Sequence, residues 1–409
     1  MLFYRLSIYV YYLFIRFASL FNTKAKRWVD GRKNQGKLFE NKLPNQKRVW
    51  FHFASLGEFE QGRSLIHFFE KNKSEYSIVI TFFSPSGYEQ RKNYPCEGVY
   101  YLPLDTPNNA KKFIDFINPS IAIFNKYEYW HYTMKELHTR EIPLFVTSAI
   151  FREKQIFFQW YGWFYRKTLG YVTHFFTQNQ KSDSLLESID HENYTMAGDT
   201  RFDRVFEHSI SVKNNEKITQ FVANKKCFVG GSTWLPDEEI ILPLIEVLSD
   251  YKFILVPHEI NPEKIQALKN KIGSSAFLYS EFDTKYTSGK RVLIVDTIGL
   301  LSSIYNCSSI SYIGGGFGKG IHNTLEAATF GKPIIFGPKY HKFQEAIDLI
   351  ERKAAYTVNN ANELQDIALK LSNDELFYNT AGTAAREYVL EKKGATEIIT
   401  NYLQTCKYI

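Results

Sequence analysis

Cysteine is scarce in this 409-residue chain, and the four present, Cys96, Cys227, Cys307 and Cys406, are scattered. No two form a CxxC pair and no histidine stands at ligand spacing from them. That excludes a zinc ribbon, a dithiol redox centre and a disulfide framework, so they read as free thiols of a reducing compartment. Long apolar runs are also missing. The N-terminal one, Leu6–Ile15, is bounded by Arg5 and Arg16, whereas a bilayer span needs about 20 apolar residues. Charge of one sign is not in large excess. Fifty Lys and Arg face 43 Asp and Glu, a net +7, too slight over this length to mark a nucleic-acid binder, though it suits a surface that meets anionic lipid. No Walker loop occurs, because Lys319 is followed by Gly320 and not by Ser or Thr. No GxGxxG fingerprint leads to a ribose acid on the following strand.

What remains is the composition of a globular protein, 44% hydrophobic and 23% charged, with length for two ordinary domains. Short apolar runs alternate with helical segments. In the first half they are Val49–Ala54, Ile78–Phe83, Val99–Leu102, Ile121–Phe124, Leu144–Thr147 and Thr173–Thr177. In the second they are Cys227–Gly230, Phe253–Val256, Ala276–Tyr279, Arg291–Val295, Ile310–Ile313 and Pro333–Phe336. This alternation predicts parallel sheets with crossover helices. A charged linker, Val212–Lys217, divides the two series. The expected architecture is α/β of the GT-B kind. Two doubly wound, Rossmann-like domains, 29–207 and 208–409, follow an N-terminal membrane-associated helix at 1–28, and substrates meet in a central cleft.

In parallel sheets ligands bind beyond the carboxyl ends of the strands, so polar residues just after each run are the candidates. Ser55-Leu56-Gly57-Glu58 follows the first run, Lys126-Tyr127-Glu128-Tyr129-Trp130 the fourth, and Thr147 to Arg152 the fifth. Two carboxylates, Glu58 and Glu128, and an arginine at one sheet edge suit general acid–base work on a sugar or phosphate. Each also has a plain structural reading. Ser55-x-x-Glu58 spells a capping box, and isolated surface charges are commonplace. The densest signal is Ser311–Gly337. An apolar strand leads into Gly314–Gly316, Gly318 and Gly320, then a short helix with Asn323 and Glu326 in its first turn, stopped by Gly331-Lys332-Pro333. Glycines let backbone approach a ligand, and a helix N-terminus offers N–H groups to an anion, which suits a nucleotide's phosphate and ribose. Asn323-x-x-Glu326 is equally a capping box, although a cap does not require five glycines within seven residues.

Met1–Phe21 carries no small-residue cleavage site, which excludes a signal peptide. Three readings stay open: a marginal transmembrane anchor whose arginines snorkel, a helix lying in the interface, or an ordinary first helix of the core. Lys24, Lys26, Arg27, Arg32 and Lys33 follow, which puts this end on the cytoplasmic side by the positive-inside rule. Phe157–Tyr171, dense in aromatics, reads either as core or as a second membrane-facing patch.

Taken in order, SLGE (55–58), YEYW (127–130), GDTRFD (198–203), GSTW (231–234), VPHE (256–259) and GGGFGKGIHNTLEAA (314–328) resemble the Kdo transferases of Gram-negative bacteria. These enzymes move 3-deoxy-D-manno-octulosonic acid (Kdo) from CMP-Kdo to a lipid A precursor in lipopolysaccharide synthesis. The resemblance covers almost the whole chain. It implies an inverting GT-B glycosyltransferase with no metal and no cofactor, anchored at the cytoplasmic face of the inner membrane. Its partners would be CMP-Kdo, the lipid acceptor and inner membrane lipids, with no nucleic acid. Residue by residue it makes Glu58 the catalytic base, Glu128 a second carboxylate and Arg201 a basic stabiliser where Lys is usual. It places CMP-Kdo against Asn323, Thr324, Leu325 and Glu326, and adds donor contacts at His258, Glu259, Ile298, Gly299 and Leu300. The chain departs from the pattern at three further places. Pro257-His258-Glu259 stands for the usual PRH, Ile298-Gly299-Leu300-Leu301 for MGEL, and Lys126 for the first Glu of ETE. Two other readings compete: a GT-B enzyme using a UDP-sugar on another envelope lipid, and an inactive membrane-bound binder. The presence of both Glu58 and Glu128 argues against the binder, which needs no base.

Overall fold

The structure, a computed structural model, describes residues 2–36, 39, 43–44, 46–72, 75–212, 214–282 and 289–409; Lys213, inside the expected linker, lies outside them. The chain divides into two compact units, Met1–Arg204 with Lys393–Ile409, and Val205–Lys392.

The first unit is built on seven parallel strands. They are β1 Arg48–Phe53, β2 Ser77–Phe82, β3 Gly98–Tyr101, β4 Ile121–Asn125, β5 Leu144–Ala149, β6 His174–Thr177 and β7 Tyr194–Met196, in the order β3-β2-β1-β4-β5-β6-β7. β1 is buried along its length because both faces are covered. Val49, Phe51 and Phe53 share a core with Phe59, Leu65 and Phe69 of the helix Leu56–Lys71, while Trp50 packs with Phe113 and Phe124 on the other face. Double coverage is why such strands read as unbroken apolar runs.

The second unit repeats the plan. Its strands are β8 Cys227–Thr233, β9 Lys252–Pro257, β10 Ala276–Leu278, β11 Val292–Ile294, β12 Ile310–Ile313, β13 Ile334–Phe336 and β14 Ala355–Thr357. All pair in parallel, in the order β10-β11-β9-β8-β12-β13-β14. Every run expected as a strand is one. β7 and β14 escape the apolar-run criterion, being three residues long and only partly buried. In each sheet the winding reverses once, between β1 and β4 and between β8 and β12. Such topological switch points leave a crevice beyond the carboxyl ends of the two strands.

The N-terminus forms two helices, Leu2–Ala18 and Thr23–Gln35, packed on the first unit. Trp28 is buried against Tyr11 and Phe83. The Arg32 guanidinium lies over Trp28 and donates to the carbonyls of Phe83 (2.8 Å) and Leu102 (2.9 Å). Ile8 faces inward, while Phe3, Leu6, Leu13, Phe14 and Phe17 are exposed. No helix among the described residues is long and apolar enough to cross a membrane.

The last helix, Ala395–Thr405, packs with the first unit and not with the series expected to run to 409. Its Ile399 and Leu403 enter the core that holds Phe145 and Phe176. Asp203 receives the Thr396 N–H (2.7 Å) and hydroxyl (2.8 Å) at the start of the helix.

Candidate active site

β1 runs directly into Ser55–Glu58 and β4 into Lys126–Trp130, so both motifs emerge at the switch point of the first sheet. Ser55 is the N-cap of Leu56–Lys71 but makes no cap bond. Its hydroxyl donates instead to Glu58 Oε2, so the expected capping box does not form and the half-buried Glu58 carboxylate is oriented from its own turn. Asn125, closing β4, donates to the Glu58 carbonyl (3.1 Å) and to Gln61 Oε1 (3.2 Å). Gln61 donates in turn to the buried Asp199, which also accepts from the Arg201 N–H (2.9 Å) and Nε (2.8 Å). Burial pushes the Asp199 carboxyl up, but Arg201, Lys126 and the backbone donor outweigh it and hold it below the usual carboxylate range. The Tyr127 ring stands in the middle of this group. Burial raises its phenol pKa, Arg152 and Arg201 pull it down, and Glu58 and Asp199 push it up. Three separate stretches thereby bring Glu58, Arg152, and Asp199 with Arg201 around the exposed Tyr127 ring.

Glu128 is held separately. Its side chain is 11% exposed, and its Oε2 accepts from Trp130 Nε1 (2.8 Å) and lies 3.0 Å from His52 Nε2. Sequence reasoning does not single out His52 or its partner Thr81. Their one signal is polarity inside the apolar runs of β1 and β2.

In the second unit, Trp234 follows β8 and the glycine loop follows β12, again at the switch point. The buried Asp237 ties them together, accepting from the Trp234 N–H, the Gly315 N–H and the Tyr312 hydroxyl, each at 2.9 Å. A Cβ on Gly314 would stand 2.2 Å from the Ser232 carbonyl oxygen, and one on Gly316 2.6 Å from the Gly337 backbone. These two glycines are therefore required by chain packing on chain. The following helix is a single turn, Leu325–Ala328, with Thr324 as N-cap, too short to develop much dipole. Asn323 accepts the Leu325 N–H (3.0 Å) and donates to Glu326 Oε1 (3.0 Å), so the two side chains are locked together. Beside them the His258 ring stacks between Trp234 (4.8 Å) and His322 (4.2 Å), and Trp234 Nε1 donates to His322 Nε2 (3.1 Å). Burial, then the neighbouring His258, pulls His322 down to about 4. Among the described residues no group of His, Cys, Asp and Glu could hold a metal ion.

Residues 26–204 match the family model described as 3-deoxy-D-manno-octulosonic-acid transferase (kdotransferase). A Haemophilus influenzae 3-deoxy-D-manno-octulosonic acid transferase is 25% identical over 409 residues, covering 96% of this chain and 95% of its own. One from Rickettsia bellii is 29% identical over 373 residues, covering 88% and 86%. The chain is similar to the Kdo transferases over nearly its whole length. Among solved structures, UDP-GlcNAc 2-epimerase from Neisseria meningitidis bound to UDP-GlcNAc has a TM-score of 0.64 at 15% identity, covering 88% of this chain and 100% of its own. That likeness shows the fold alone.

Not every expected donor residue joins the site. Thr324 and Leu325 are fully buried, so only Asn323 and Glu326 offer side chains from that stretch. Glu259 parts from His258. It pairs with Lys264 (2.7 Å) and lines a cavity of about 440 Å³ with Trp234, Leu242, Ile265 and Leu268. Ile298, 89% exposed, Gly299, at φ +92°, and Leu300 form the turn after β11.

Proposed function

We propose that this protein is a Kdo transferase, which takes Kdo from CMP-Kdo and transfers it, with inversion and without a metal, to a sugar hydroxyl of a lipid A precursor. The observation that supports this most is the placement of its motifs. Carboxylates and cations gather at one switch point, and Asn323 with Glu326 stands beside the glycine loop at the other. Glu58, steadied by Ser55, takes the proton from the acceptor hydroxyl as that oxygen attacks the anomeric carbon, and CMP leaves from the opposite face. Arg201, fixed by Asp199, meets charge developing on the leaving phosphate. Glu326, fixed by Asn323, accepts from the ribose hydroxyls, a two-oxygen role that Gln could only half fill.

A lipid acceptor calls for a membrane surface. The helix Leu2–Ala18, whose exposed apolar residues are flanked by exposed Arg5, Arg16, Lys24, Lys26 and Arg27, lies against the helix Trp163–Leu169 through Tyr4 and Phe164 (5.7 Å). Trp160, ahead of that helix, and Trp163, its first residue, are 89% and 67% exposed. Arg166 holds their loop by donating to the carbonyls of Phe157 (3.1 Å) and Gln159 (2.9 Å). Aromatic and basic groups together suit a protein lying on the cytoplasmic face of the inner membrane.

The test is transfer from CMP-Kdo, generated in situ, to a tetra-acylated lipid A precursor, with products read by mass spectrometry. A gain of one or more Kdo units is expected, surviving exhaustive chelation and lost in a folded Glu58→Gln variant. Transfer from a UDP-sugar in its place overturns the donor assignment. Activity lost to chelation and restored by Mg²⁺ overturns the metal-free mechanism.

A further inference from the structure

Glu128 is gripped by a line of buried groups for which the reaction above has no use. Trp50 and His52 alternate on one face of β1, and Thr81 of β2 stands in register with His52. Trp50, Thr81 and His52 are all buried. The indole Nε1 of Trp50 can only donate, so Thr81 Oγ1, at 2.8 Å, accepts from it. The Thr81 hydroxyl proton then needs an acceptor. His52 Nδ1 is at 2.8 Å, and the Phe51 carbonyl is farther, at 3.4 Å. An Nδ1 that accepts leaves the imidazole proton on Nε2, which faces Glu128 Oε2 at 3.0 Å. Trp130 Nε1 donates to the same oxygen. Two N–H donors therefore converge on Oε2, and neither engages Oε1.

The other titratable groups around Glu128 are Arg32 and Tyr11 from the N-terminal helices and the adjoining Tyr129. Arg32 is spent on the carbonyls of Phe83 and Leu102. The direct bonds to the carboxylate are those of His52 and Trp130.

We propose that His52 is a positioning residue for Glu128: its Nε2–H, set by Thr81 and Trp50, fixes Oε2 so that Oε1 is presented to a hydroxyl of the sugar acceptor. This rests on Glu128 belonging to the reacting site. His52 touches no substrate and acts through the carboxylate alone.

The test uses the full chain with CMP-Kdo and the lipid acceptor, and follows kcat and KM of His52→Leu, His52→Gln, Glu128→Gln and the double variant. A hydrogen bond to a charged group is worth about 1.5–3 kcal/mol, so His52→Leu is expected to lower kcat roughly ten- to a hundred-fold with KM little changed. His52→Gln, whose amide can place an N–H near the Nε2 position, should restore most of the lost kcat. In the Glu128→Gln background His52→Leu should add almost nothing. Should the leucine variant melt early, His52→Asn against His52→Gln gives the same comparison between two polar amides, of which only the longer reaches Glu128. A folded His52→Leu enzyme with wild-type kcat, beside a crippled Glu128→Gln, overturns the proposal, as do effects of the two substitutions that multiply. Full turnover in Glu128→Gln is a different result. It removes Glu128 from the reaction and the role of His52 with it.

Discussion

Removing the Asp105 carboxylate should loosen the N-terminal helices and the start of the YEYW helix together. Asp105 is 1% exposed and receives four donors: the Tyr4 hydroxyl (2.7 Å), the N–H groups of Tyr132 and Thr133 (2.9 Å each) and the Thr133 hydroxyl (2.7 Å). The helix His131–Thr139 begins after Trp130, which supplies no cap bond. Asp105 therefore caps it from another part of the chain and pins Tyr4 of the first helix with the same oxygens. Burial pushes its carboxyl upward, and the four donors pull against that. In Asp105→Ala two helix N–H groups and two hydroxyls lose their acceptor. A lost cap costs roughly 0.5–2 kcal/mol, and each orphaned buried donor about 1–3. Since these overlap, roughly 3–5 kcal/mol is expected for the first unit. At about 2–4 °C per kcal/mol for a unit of this size, melting should fall by roughly 6–20 °C. Tyr4→Phe removes one of the four bonds and should cost about 1 kcal/mol. Calorimetry gives the melting shift, and hydrogen exchange over 2–18 and 131–139 gives its location. An Asp105→Ala protein that melts like wild type, with both segments still protected, would show that the cap is supplied elsewhere and refute the reasoning.

Asp203 accepts the Gly394 N–H and the Thr396 N–H and hydroxyl. Asp203→Ala should cost roughly 1–3 kcal/mol and selectively expose 395–409 to hydrogen exchange; unchanged protection there refutes the docking role. Burial first, aided by Lys135 at His131 and by His191 at His174, pulls both histidines down to about 4, as it does His322. The unfolded value is about 6.5, so between there and 4 the unfolded chain binds protons that the native state refuses. Their stabilisation is complete above about pH 6.5 and is lost as pH falls toward 4. Melting temperature should drop steadily over that window, and a flat profile contradicts the burial of these rings.

The sheets are legible in the sequence wherever helices cover both faces. β1, with Val49, Phe51 and Phe53 on one side and Trp50 on the other, can only read as an apolar run. β14, with Tyr356 and Thr357 half-buried, offers no such run, and its identity comes from pairing with β13. The last helix has a recognisable pattern, but its partner does not follow from sequence. A capping carboxylate nearly the whole second unit away, Asp203, decides where it docks.

For the site, spacing locates the stretches but not the direction of each side chain. The glycine loop stands out in the sequence, but the backbone of Ser232 and Gly337, which requires Gly314 and Gly316, is brought against them only by the fold. In Pro257-His258-Glu259 adjacent residues part, His258 to Trp234 and His322, Glu259 to Lys264. Lys126, at the position where the family has Glu, helps Arg201 keep Asp199 ionised, a compensation visible only once strand ends from different stretches meet. His52 is the extreme case. Inside an apolar strand it is one polar residue among many, and what gives it meaning is the register of β1 on β2, which sets Thr81 on one ring nitrogen, and the end of β4, which brings Glu128 to the other.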